Sequence, residues 1–339
     1  MAVINATTNI ATMLAVYPFK SIDVFAADLP PRNMFTLNFD DAAAGAGQQV
    51  ITRIPSTTFA TTANNLANGW GNTQPSSSNV SMTLNAKGFD HPFNVVTWET
   101  IGEAQLINTF GGFLQKQVAN AIFVDAANLI TSSTYTNVCY VQSSSLFNLT
   151  GSLVTSSAGT GNTGLQAVGT LLDNLEITQV DRYGIINPNA YQGLISGIYQ
   201  QYVLGNDRAV VGNGFVPATE RNQAWPGIDL AGFDVFKHPR INSSTAKVPY
   251  GGPSYSSNDT LVGWAGVPAG LCLAARPFEI GPAPMAASVA VIDPTSGFPL
   301  TYVIAWDSSL PGWRVGVYGL YAVAAGNTNA IVEIIAKSS

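Results

Sequence analysis

The hydrophobic and polar positions divide this chain into stretches with different periods. Residues 1–46 show little periodicity, few charges and three prolines (Pro18, Pro30, Pro31) that interrupt any regular element. This stretch reads as an extended arm that gains order on a partner. Gln49-Val50-Ile51-Thr52-Arg53-Ile54-Pro55 reads as one strand. Val80-Ser81-Met82-Thr83-Leu84-Asn85-Ala86 alternates apolar and polar, as a half-exposed strand does. Between them lies a polar run, 57–79, too long for an ordinary connection inside a compact domain. Residues 47–98 are therefore predicted to form an extended hairpin, returning to the body at 95–98.

The clearest helix is predicted over 99–132, where Ile107, Phe110, Leu114, Val118, Ala121, Ile122 and Leu129 recur at three- and four-residue intervals. Glu99 and Glu103 stand near its start, where the helix dipole favours acid. Some thirty residues span roughly 45–50 Å at ~1.5 Å each, long for a globular helix. Residues 135–285 read as mixed α and β. Helices are predicted over 164–175 and, opened by Pro188, over 189–203. Strands are predicted over 183–186, 231–236 and 270–275, with a Gly- and Asn-rich loop over 205–226. From 286 onward only strand-like runs remain: 287–292, 300–306, 314–321 and 330–336.

Composition sharpens this picture. Only 10% of the 339 residues are charged, against 46% hydrophobic. Roughly 25% charged is usual, so much of this surface is expected to meet other protein. A net charge of −6 with no Lys/Arg run argues against a dedicated nucleic-acid binder. Cys139 and Cys272 both lie in apolar runs and read as buried free thiols. Residues 1–20 lack the pattern of a secretory signal, and no run approaches the ~18 apolar residues of a membrane span.

Candidate chemistry is sparse, and no enzyme activity, cofactor or metal is expected. His91 and His238 each adjoin a proline and have no Cys or His neighbour at metal-ligand spacing. Asp40 and Asp41 are adjacent, so in an extended segment they point to opposite sides. Gly159-Thr160-Gly161-Asn162-Thr163-Gly164 matches G-x-G-x-x-G, but no buried strand precedes it, so it reads as a loop.

The order of elements is the stronger signal: an arm, a projecting hairpin, an outsized helix, a mixed domain and closing strands. In that order the chain resembles the major capsid proteins of tailed bacteriophages with the Hong Kong 97 fold. Three segments carry the resemblance. Arg182-Tyr183-Gly184-Ile185-Ile186-Asn187-Pro188, followed by Tyr191, is similar to that family's strand–Pro–helix segment. Leu230-Ala231-Gly232-Phe233-Asp234-Val235-Phe236, running to Pro239, is similar to its Gly-aromatic strand. Trp313-Arg314-Val315-Gly316-Val317-Tyr318-Gly319, followed by Val323 and Ile331-Val332, resembles its closing strands.

The resemblance implies an α+β capsid fold. Its N-terminal arm would be 1–46 and its hairpin E-loop 47–98. The peripheral domain would combine the spine helix, 99–133, with strands over 286–321, and the mixed α/β axial domain would be 134–285 and 322–339. It implies a structural protein assembling with copies of itself, as hexamers and pentamers, into an icosahedral shell around double-stranded DNA. Assembly would take place in the host cytoplasm, with a portal and a separate scaffolding protein, and the product would be the virion. Some members link an E-loop lysine covalently to a neighbour; here no Lys lies between Lys20 and Lys87, so non-covalent contacts are expected. Candidate contacts between subunits are Phe19, Phe25 and Phe35 in the arm and Phe59 and Trp70 in the loop. Each of these aromatics is equally open to burial within one subunit. Arg32, Arg53 and Lys87 are candidates to pair with Glu99, Glu103 or Asp125 on the next subunit's spine helix. Competing readings are an encapsulin-like compartment of the same fold, a secreted adhesin or surface-layer protein, and an enzyme.

Overall fold

In the computed structural model the described residues are 29–31, 34–39, 45–55, 77–94, 103–131, 133–156, 161–204, 227–241, 260–278, 286–293, 296–307 and 312–336. Their helices are α1 (Glu103–Leu129), α2 (Leu165–Asn174) and α3 (Pro188–Leu204). In chain order the strands are β1 (Thr36–Phe39), β2 (Gln49–Pro55), β3 (Ser77–Thr83), β4 (Asn85–Asn94), β5 (Val138–Val141), β6 (Tyr183–Ile186) and β7 (Gly227–Leu230). They continue as β8 (Phe233–Lys237), β9 (Thr260–Gly266), β10 (Leu271–Arg276), β11 (Ala286–Ile292), β12 (Pro299–Asp307), β13 (Gly312–Ala325) and β14 (Ile331–Ala336).

One helix separates two sheets. In α1, Leu114, Val118, Ala119, Ile122, Phe123, Ala126 and Ala127 are all buried. That stripe is wider than the single face read from the sequence, because α1 packs against both sheets. Alanines at 119, 126 and 127 keep those approaches close. Leu114, Val118 and Ile122 are buried as the period predicts, while Ala121 and Leu129 are only half-buried.

The first sheet runs β1-β10-β13-β12-β11, with β4 also on β13. Strand β13 organises it. Residues 312–318 pair with β12, and the same residues pair with β4, so those strands flank opposite edges. Leu320 and Tyr321 pair with both β10 and β4. Strands β12 and β10 therefore follow one another along one edge of β13. Leu271, Leu273, Leu300, Tyr302, Ile304, Val315, Val317 and Tyr321 face α1 in the main core.

The second sheet has the order β5-β14-β9-β6-β8-β7 and is buried on both faces. Tyr183, Ile185, Trp264, Ile331 and Ile335 join the main core. Ile186, Val235, Val262, Ala265, Val332 and Ile334 face the other way, into a core completed by α2 and α3. Such strands read as continuous apolar runs rather than alternating ones.

The hairpin is real at its root. Strands β2 and β3 pair antiparallel from Gln49↔Thr83 to Pro55↔Ser77. Residues 57–76, its predicted tip, lie outside the described residues. The root is fastened to its own chain. Ile54, Met82 and Leu84 pack on Cys272, Ala274, Leu320 and Ala322. Gly47 N–H donates to Leu84 O at 2.7 Å, Leu84 N–H to Gln48 O at 2.9 Å, and Asn38 Nδ2 to Thr52 Oγ1 at 2.8 Å.

Four expectations change. Residues 85–94, predicted as part of the projecting loop, form β4 in the body; its Pro92 is tolerated because β4 is an edge strand. Residues 36–39, predicted in the loose arm, form β1 parallel to β10. The guanidinium of Arg276 staples β1 there, donating to Asn38 O and, at 2.9 Å, to Asn38 Oδ1. Strand β10, read within the mixed 135–285 region, pairs with β13 in the first sheet, while β9 pairs in the second. Ala231 and Gly232, predicted to start a strand, form the two-residue turn of the β7–β8 hairpin, with φ of 53° and 80°. Positive φ at both positions is what a tight hairpin of matching twist requires.

Candidate assembly surface

The residues with potential chemistry are used for packing. Cys139 and Cys272 are buried free thiols. Burial pushes their pKa up to about 12 and about 11, which keeps them protonated and poor nucleophiles. His238 is buried with its ring centroid 3.6 Å from that of Phe123. Desolvation, with help from the Arg240 charge, pulls its pKa down to about 3. His91 stacks on Phe113 at 5.8 Å between centroids. Among the described residues no group of three or more His, Cys, Asp or Glu is arranged to hold a metal ion, and no helix is long and apolar enough to cross a membrane.

The described end of the glycine-rich motif also serves packing. A Cβ on Gly164 would lie 2.1 Å from the backbone nitrogen of Gly151, and Gly164 bridges to Asn148 as it caps α2. Close passage of two backbones explains this glycine without a phosphate.

The predicted contact residues meet different outcomes. Phe19, Phe25, Arg32, Phe59, Trp70 and Glu99 lie outside the described residues. Phe35 is packed into the chain's own core at 4% exposure, the intra-chain outcome its aromatic character allowed. Glu103 is the first residue of α1. Arg53 is exposed on the outer face of the hairpin beside Ile51, itself 59% exposed.

Lys87 and Asp125 do pair, but within one chain, which corrects the expected pairing across subunits. The Lys87 Nζ donates to both Asp125 carboxylate oxygens at 2.6 Å, and Tyr321 Oη donates to Oδ2 at 2.7 Å. Strand β4 lies on β13 with Lys87 opposite Gly319, which brings the lysine over α1. The sequence supplied the right two charges but not that register.

Several surface features escaped the sequence reading. Phe89 and Phe113 are 36% and 51% exposed, on β4 and α1 respectively. Val180 is 67% exposed, in the turn between α2 and β6. That turn is held from inside by Arg182, which is buried. Its guanidinium donates to Asp173 Oδ1 at 2.6 Å, Ile177 O at 2.8 Å and Thr178 O at 2.9 Å. The Arg182 hydrogen bond holds the Asp173 carboxyl below its usual pKa. The sequence periods leave 176–181 between a predicted helix and a predicted strand, and the clamp depends on a side chain next to that strand, Arg182.

No family model and no curated protein matches this sequence. Solved structures do resemble it. Superposition on the capsid structure of cyanophage P-SCSP1u covers 91% of this chain and 88% of that one, at 12% identity and a TM-score of 0.51. The capsid of cyanophage Pam1 aligns over 93% and 92% of the two chains, at 12% identity and a TM-score of 0.48. The capsid of a native GTA particle aligns over 92% and 91%, at 10% identity and 0.46. The chain thus shares the fold of the P-SCSP1u capsid protein.

Proposed function

We propose that this chain is the major capsid protein of a tailed bacteriophage, a structural subunit of the Hong Kong 97 type that builds an icosahedral shell around double-stranded DNA and catalyses no reaction. The observation that carries the reading is the fold shared with a cyanophage capsid protein over 91% of the chain. The low charge supports it, as does a two-stranded hairpin fastened to the first sheet. In this reading the hairpin is the E-loop, α1 the spine helix of the peripheral domain, and the second sheet with α2 and α3 the axial domain.

Hexamers and pentamers form the shell through non-covalent contacts, with a portal and a separate scaffolding protein, in the host cytoplasm. Weak contacts suffice when multiplied. An obligate interface of a few thousand Å2 gives tens of kcal/mol of gross hydrophobic stabilisation at ~25 cal/mol per Å2. Loss of mobility offsets much of it, and many contacts acting together supply cooperativity.

Electron microscopy of the purified protein, alone and co-expressed with a scaffolding protein of the same phage, tests the reading. Closed shells are expected, running as single-subunit bands on a denaturing gel. A protein that remained a monomer under both conditions would overturn it. Covalent ladders would overturn the non-covalent part, and shells carrying a protein cargo in place of DNA would favour a compartment.

A further inference from the structure

The second sheet carries opposite charges at its two ends. Strands β6 and β8 run parallel, with Tyr183 opposite Asp234 and Ile186 opposite Lys237. Glu176 and Asp181 sit just before the start of β6, and both are exposed. Lys237 ends β8, and Arg240 follows three residues later. Asp181 and the level of Lys237 are five residues apart along the strands, about 16 Å at ~3.3 Å per residue. Among the described residues none of these four charges has an ion-pair partner. Lys237 lies over the Tyr191 ring at 5.3 Å, which leaves its charge uncompensated.

The acidic end is also preorganised. Glu176 and Asp181 both have φ of 57°, a conformation side chains seldom adopt, and Arg182 ties the turn down from within. Val180 projects between them in sequence, 67% exposed. The turn is therefore a rigid apolar knob flanked by two acids, and the far end of the same strands offers two bases.

From this charge complementarity we infer that a second copy of the chain covers the 176–181 turn, its Lys237 and Arg240 facing Glu176 and Asp181 around Val180. The inference rests on the shell reading, and it adds the contact that closes each ring. Because the two patches differ, the contact is heterologous: each copy uses its acidic end on one neighbour and its basic end on the other. Such contacts close into rings when the rotation between copies divides a full turn, as a shell of hexamers and pentamers requires.

Charge exchange tests it. In one variant Glu176→Lys is combined with Asp181→Asn, which keeps a residue tolerant of the left-handed conformation. In the other, Lys237→Glu is combined with Arg240→Gln. Each variant alone is expected to assemble roughly tenfold or more weakly than the parent, as buried charge mismatches at interfaces do. An equimolar mixture is expected to recover assembly, because each variant then meets its complement. Alternation favours even-membered rings, so hexamers are expected to return ahead of pentamers. All four substitutions in one chain are expected to restore self-assembly, which also shows that the substitutions leave folding intact. Variants that assemble like the parent, or a mixture and a fourfold variant that both fail while circular dichroism shows folded protein, overturn the inference and leave the shell reading standing. Failure of the parent itself to assemble strikes the shell reading instead.

Discussion

The two sheets are built for different tasks. The second is buried on both faces, enclosed by α1 on one side and α2 and α3 on the other. The first has one face on α1, while among the described residues the hairpin root covers its other face near Cys272, Ala274, Leu320 and Ala322. Away from the root that face carries Arg314, whose Nη1 bonds Asp90 Oδ2 at 2.6 Å, and the half-buried Tyr318. One sheet is a finished interior, and the other combines an interior with a partly exposed face. Stability should therefore be concentrated in the second sheet and in α1, with the hairpin able to loosen separately.

The sharpest test is Trp264→Ala. Trp264 is fully buried on β9, facing α1, and its loss is expected to cost about 3–5 kcal/mol of global stability, read from chemical denaturation. Leu84→Ala is expected to cost about 2–5 kcal/mol, but locally. Hydrogen exchange should show β2 and β3 losing protection while β9 and β14 keep theirs. Equal loss in both sheets would erase the distinction drawn here.

His238 adds a pH dependence to the enclosed side. Its folded pKa of about 3 lies below the ordinary 6.5, so between those values the unfolded chain binds a proton that the folded chain does not. Stability is full above pH 6.5 and falls as the pH drops, by about 2 kcal/mol between pH 7 and 5. Thermal melts of the parent and of His238→Asn should diverge over that window, with the variant flatter. The smallest effect is expected from Lys87→Ala. Its half-exposed ion pair with Asp125 contributes at most about 1 kcal/mol. A larger loss would mean that β4 depends on that pair more than on its ladder to β13.

Much of this architecture was legible. The segment 183–204 was read closely because Pro188 fits the first turn of a helix and the apolar run before it is short. Helix α1 followed from its period. Strand β4 was not, since Gly88, Pro92 and two asparagines depress strand propensity, although Phe89, His91 and Phe93 do alternate. Strand β9, with the sequence TLVGWAG, is buried on both faces and has no alternation to find. Strand β1 has four residues and a partner more than two hundred positions away. Contact residues were harder still. Phe35 and Lys87 were reasonable candidates, but whether they serve their own chain or a neighbour depends on register, which composition does not encode.

The joint between hairpin and body has a mechanical consequence. A single residue, Leu84, separates β3 from β4, and β4 is paired over ten residues with β13. Tension arriving along the hairpin therefore enters the first sheet lengthwise and is resisted by the whole β4–β13 ladder in shear, not peeled off one bond at a time. From β13 it spreads sideways into β12 and β10, which makes that long strand the tie-beam of the fold.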